Sequence, residues 1–209
     1  MERSLWAVLV GTFTLRFSTG LTGTLLVFYL ADIPGVDAVA VGLMAATFYA
    51  TELVLSTPFG LVSDRLGHHR VMQLGPAFGI VAVIVTFFTA DLLVLGGTRV
   101  LEGGSTAASV PSILGFIAMV TAGDELLRGR ASARFEGATI AGLGAGVVAA
   151  GPLYDLIGRP AFLLNALVYG LSFLILRFGG AEPPEAEAAR RAPHPGYGRY
   201  VAILRSSHI

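Results

Sequence analysis

The stretch "GLVSDRLGHHR", Gly60–Arg70, sets an acid, two arginines and two histidines between two strongly apolar runs. A later stretch, "GPLYDLIGRP", Gly151–Pro160, repeats part of it. Gly60 and Gly67 allow tight backbone approach and a bend. Each flanking run is about as long as the roughly 20 residues a helix needs to cross a bilayer, so the stretch reads as a turn at a membrane surface. The rest of the chain agrees. Of its 209 residues 54% are hydrophobic and 13% charged, and mean hydropathy is +0.73. That is too little charge to cover a water-soluble domain. A formal net charge of zero and the lack of a basic stripe argue against a nucleic-acid partner. With no cysteine there is no disulfide framework, thiol nucleophile or thiolate metal site.

The fold class expected is all-α: a polytopic membrane protein with six transmembrane helices. The spans run from about Leu5 to Leu30, Ala38 to Val62, Val71 to Ala90, Leu92 to Val120, Phe135 to Ile157 and Ala161 to Phe178. Arg16 interrupts the first run, which continues through "LTGTLLVFYL" without a cleavage site and reads as a retained span, not a removed leader. Pro58, Pro76, Pro111 and Pro152 fall inside spans, which packed membrane helices tolerate because neighbours satisfy the freed carbonyls. Every basic residue is arginine. In the six-span arrangement Arg3, Arg65, Arg70, Arg128, Arg130, Arg134, Arg177, Arg190, Arg191 and Arg199 share one side; Arg159 lies opposite with Asp32, Asp37, Asp91 and Asp155. The excess of positive charge in cytoplasmic loops places both termini in the cytoplasm, of a plasma membrane. Residues 1–178 form the bundle, 179–198 read as a cytoplasmic linker rich in Pro, Gly and charge, and 199–209 as the start of an approach to a missing seventh span.

The chain also repeats itself. "RFSTG", Arg16–Gly20, in the first span matches "RVLEG", Arg99–Gly103, in the fourth; "GLVSDRLG", Gly60–Gly67, matches "GPLYDLIG", Gly151–Gly158. The offsets, 83 and 91 positions, differ by an amount that fits a longer loop between the fourth and fifth spans. Two matches in the same order point to a three-helix unit used twice, at about 5–90 and 92–178. An odd number of spans per unit makes the copies inverted, as in secondary transporters.

Gly60, Asp64, Arg65, Gly67 and Arg70 resemble the signature of the major facilitator superfamily in the loop between its second and third spans. His68 and His69 stand where that family has basic residues, so charge there would follow pH. "LGGTRVLEGGSTAA", Leu95–Ala108, resembles the family's fourth-span signature, with Glu102 where Gln is frequent. The fifth-span signature is partly met by Gly142, Gly146 and Gly151, with Val147 in place of proline. The resemblance covers one of the family's two six-helix bundles. It implies secondary active transport of a small solute by alternating access, with proton coupling and no cofactor. It also implies that Asp64 helps latch two bundles together, and that this chain alone is inactive without a second six-helix half or self-association.

Four charged residues lie within spans. Arg99 and Glu102, three apart on one helix face, can neutralise each other. The resemblance associates Arg99 with proton coupling. Glu52 is a carboxylate able to exchange a proton, and Arg16 either anchors an anionic solute or pairs with Glu52; purely structural ion pairs are the alternative for all four. Asn165 and Tyr169 suit helix-packing hydrogen bonds. Asp124, Glu125, Arg128, Arg130, Arg134 and Glu136 read as a solvated loop. No Ser/His/Asp grouping, H-E-x-x-H or phosphate-binding loop is present, so an enzyme is not expected. A non-transporting membrane interaction or assembly protein that kept the bundle remains the alternative function.

Overall fold

A computed structural model describes residues 2–179; the expected linker and the approach to a seventh span lie outside the described residues. The described chain is helical throughout: α1 (Glu2–Ala31), α2 (Ala38–Leu66), α3 (His68–Met72), α4 (Leu74–Phe88), α5 (Leu92–Val120), α6 (Glu125–Ile157) and α7 (Ala161–Gly179). Five stretches are long and apolar enough to cross a membrane: α2, α3 with α4, α5, α6 and α7. This differs from the six expected. α1 has the length, 30 residues, but Arg16 and its Thr, Ser and Gly residues dilute its apolar character.

Two boundaries also differ from expectation. The third span is broken at Gln73. Pro76 has no N–H to offer the carbonyl of Met72, four residues back, and the hydroxyl of Ser109 on α5 reaches that carbonyl instead, at 3.5 Å. The loop expected between the fourth and fifth spans is mostly helix. Asp124 caps α6 by accepting from the Leu127 amide at 2.8 Å, so Glu125, Arg128, Arg130, Arg134 and Glu136 are helical. Only residues 121–124 separate α5 from α6, fewer than the 32–37 between α1 and α2. The extra residues behind the two offsets therefore extend helices and do not lengthen a loop.

α1 lies along α6 and α7, α5 lies along α2 and α4, and α4 meets α7. α5 is the most enclosed span; α2 and α6 are the least. One apolar cluster gathers Leu21, Leu25, Tyr29, Val83, Leu95, Phe162 and Tyr169; another, at the arginine-rich end, gathers Val8, Met72, Ile113, Phe116, Ile117, Phe135 and Leu176. Buried hydroxyls mostly bond carbonyls of their own helix one turn back, as Thr12, Thr22, Thr86 and Ser112 do. Asn165 ties α7 to α1, donating to the Ser18 carbonyl at 3.0 Å and the Thr22 hydroxyl at 2.6 Å. Tyr169 is fully buried, its ring against Gly79.

The acid-rich end is laced by hydrogen bonds. Tyr154 donates to Asp32 at 2.6 Å. Tyr29 and Arg159 both donate to the Thr89 carbonyl, at 2.6 and 3.0 Å, and Arg159 lies over the rings of Tyr29 and Phe87. Arg159, the exception to the charge asymmetry, thus closes the end of the bundle.

Candidate functional site

The cavity at the middle of the bundle opens between α1, α2, α5 and α6 and encloses about 430 Å³. Arg16 on α1, Glu52 on α2, Arg99 on α5 and Thr139 on α6 line its charged and polar part. Leu26, Val27 and Leu30 on α1, with Val41 and Met44 on α2, make apolar walls toward the acid-rich end. The cavity is amphiphilic, charged near mid-helix and apolar toward one mouth.

Glycines bring its walls together. A Cβ on Gly20 would collide with the Leu143 backbone on α6, and one on Gly103 with the Phe48 carbonyl on α2. Gly142 and Gly146 meet α1 in the same way, at the carbonyls of Phe13 and Phe17. Gly151 is different: it looks onto the Phe28 ring with room to spare. Of the three glycines of the fifth-span signature, two thus allow close helix approach.

Arg99 and Glu102 form an ion pair on α5, both nearly inaccessible, at 5% and 2% exposure. Arg99 also sits 5.7 Å from the centroid of the Phe48 ring, and its Nε has no hydrogen-bond partner among the described residues. Arg16 and Glu52 line the same space but are not within ion-pair distance of each other. Arg16 donates a long hydrogen bond, 3.5 Å, to Thr106. Nothing in the sequence singles out Phe48, Thr106 and Thr139. Each lies one or two turns from a charged residue, but only the packing of four helices shows which faces meet.

The opening turn sits at the arginine-rich end. Gly67 ends α2 with φ +102°, a conformation that favours glycine, and its amide donates to the Ser63 carbonyl at 2.9 Å. Asp64 is exposed and lies 3.9 Å from His68, one turn on. His68 also meets the Ser63 hydroxyl at 3.1 Å and packs against Gly115 of α5. His69 reaches the Leu176 carbonyl of α7 at 2.9 Å. Arg65 and Arg70 are exposed. Gly60 faces Pro111 without crowding.

Sequence comparison places these features among known proteins. The chain is 28% identical over 167 residues to the lysophospholipid transporter LplT of Serratia proteamaculans (strain 568), covering 78% of this chain and 41% of that protein. It is 30% identical over 132 residues to LplT of Yersinia pestis (strain Pestoides F), covering 63% of this chain and 31% of that protein. The matched segments therefore span less than half the length of these curated relatives. Residues 8–207 match the Major Facilitator Superfamily. With an all-helical bundle of apolar helices and a charged cavity at its centre, the chain belongs to the major facilitator superfamily of membrane transporters.

Proposed function

We propose that this chain is the amino-terminal six-helix bundle of a secondary active transporter, moving a small solute by alternating access with proton coupling. The observation that carries the reading is the cavity. It holds an arginine and a carboxylate, Arg16 and Glu52, unpaired with each other, in a place where charge costs about 2.5–3.5 kcal/mol to insert. Arg16 attracts the anionic part of a solute. Glu52 exchanges the coupling proton, and the Arg99–Glu102 pair holds α5 in register beside it. The relatives are named as lysophospholipid transporters, and a cavity charged at one end and apolar at the other suits an amphiphilic solute.

Packing supports the inverted repeat. Exchanging α1 with α5, α2 with α6 and α4 with α7 carries the main helix pairs onto one another. The contact of Gly60 with Pro111 becomes that of Gly151 with Phe28, and Pro111 and Phe28 are separated by the same 83 positions as Arg99 and Arg16. α1 then crosses as the sixth span. Four helices wall the cavity on one side, so the opposite wall comes from a second six-helix half or a second copy. The bundle alone does not transport. The turn carrying Gly60, Asp64, Arg65, Gly67 and Arg70 latches the two bundles at the cytoplasmic face, and both termini lie in the cytoplasm of a plasma-membrane protein.

The test uses the assembled transporter in proteoliposomes with a lysophospholipid. Glu52→Gln abolishes accumulation driven by a proton gradient while exchange between internal and external solute persists. Accumulation that survives this change rules out Glu52 as the coupling group. No flux above background in the assembly, at normal protein levels, favours a non-transporting interaction or assembly protein instead; flux unchanged by Arg99→Gln with Glu102→Gln leaves that pair a structural one.

A further inference from the structure

Resting on the transport reading above, we propose a second binding station for the solute, built by Trp6 and Arg134 at the arginine-rich end of α1 and α6 and suited to a phosphate-bearing single-chain amphiphile. A groove of about 330 Å³ lies there, lined by Trp6, Leu9, Val10, Phe13, Arg134 and Ala138. It is apolar except for one guanidinium. Arg134 is exposed, lies 5.5 Å from the centroid of the Trp6 ring, and has no carboxylate from residues 4–179 within ion-pair distance. The aromatic face orients the guanidinium while leaving its N–H fork open. Such a fork matches phosphate oxygens two at a time. Arg130, one turn earlier on α6 and also exposed, adds positive charge nearby.

The groove and the central cavity follow one another along α1. Trp6, Val10, Phe13, Arg16, Gly20, Gly23 and Val27 follow at spacings of three and four, on one side of α1, and the first three line the groove while the last four line the cavity. On α6, Ala138 lines the groove and Thr139 the cavity. Ten residues of helix put Trp6 about 15 Å from Arg16 along the axis. A phosphate on Arg134 leaves the tail to lie along Leu9, Val10 and Phe13, toward Arg16. The two arginines are successive holds for the same anionic group as it travels the length of α1.

Trp6 is the one tryptophan in the chain, so its fluorescence reports this groove directly. The full chain in phosphatidylcholine nanodiscs is titrated with nitroxide-labelled lysophosphatidylglycerol and, separately, with a nitroxide-labelled monoacylglycerol of equal chain length. The charged probe quenches Trp6 saturably and the neutral one only in proportion to its partitioning. Arg134→Gln raises the half-saturating concentration about tenfold, the loss of one charge-assisted contact, while Arg134→Lys changes it far less and Arg16→Gln leaves it in place. Equal quenching by both probes, or no response to Arg134→Gln, overturns the station. A shift as large with Arg16→Gln as with Arg134→Gln also overturns it, since one site would then account for both. Saturable quenching in an assembly that moves no solute removes the transport reading and leaves the station standing. Loss of driven accumulation in Glu52→Gln without any Arg134 dependence does the reverse.

Discussion

Arg99 and Glu102 sit three residues apart on the most enclosed span, and their charges cancel where both are nearly inaccessible. Removing one partner leaves the other charge buried and unpaired, which typically costs about 3–5 kcal/mol, whereas replacing both with apolar groups of similar size is often neutral. Glu102→Leu should therefore lower the stability of the bundle by about that amount, and Arg99→Met with Glu102→Leu should recover most of it. Denaturant titration in detergent micelles reads both. If the double variant is no more stable than the single one, the loss in Glu102→Leu does not come from an unpaired buried charge. This pair was legible in the sequence because three residues on a helix bring two side chains to one face whatever surrounds them. Whether Arg16 pairs with Glu52 was not. They stand on different helices and line one cavity without pairing, because their separation depends on how α1 and α2 are set against α5 and α6. The same holds for His68, whose contact with Gly115 joins residues far apart in the chain.

At the scale of the element, the run "GLGAG", Gly142–Gly146, separates packing glycines from an idle one. Gly142 and Gly146 press on the α1 backbone, while a Cβ on Gly144 would meet nothing. Gly146→Ala must push α1 and α6 apart or strain both, and overpacking of this kind costs about 1–3 kcal/mol. Gly144→Ala only gains helix propensity, up to about 1 kcal/mol. Thermal unfolding of the two variants side by side checks this, since they differ by two positions on one helix; equal effects would mean that α1 and α6 do not cross there. Small residues four apart announce such a crossing in the sequence, though not which helix lies across it. The helix ends were less legible. Asp124 followed by Glu125 is an N-terminal cap signal, but the charges through Glu136 read as loop because the apolar run begins only after Arg134, while the helix already starts at Glu125. The break at Gln73 has its cause at Pro76, and the hydroxyl that makes the break tolerable comes from α5.

The bundle as a whole depends on how often, and in which direction, the chain crosses the bilayer. Five stretches qualify by length and composition, and α1 falls short because of Arg16 and its hydroxyl and glycine residues. Yet α1 runs alongside α6 and α7, so Arg16 faces the cavity and a threonine, not lipid. A charge so placed avoids most of the cost of exposure to hydrocarbon. The ends are also unlike: Arg65, Arg70, Arg128, Arg130, Arg134 and Arg177 gather at one, and Arg159 alone among the described arginines at the other. Because the chain has no cysteine, single cysteines can be placed without background. Ser4→Cys lies in the first turn of α1, Pro34→Cys lies between α1 and α2, and Ala122→Cys lies between α5 and α6. An impermeant maleimide added to intact cells should label Pro34→Cys and spare the other two; inside-out vesicles should give the opposite pattern. Labelling of Ser4→Cys and Pro34→Cys from the same side would mean that α1 does not cross, and the three-helix repeat would lose its first member. Labelling of Ala122→Cys from outside would turn the bundle over, placing the turn at Gly60–Arg70 and the groove beneath Arg134 on the wrong face for a cytoplasmic latch.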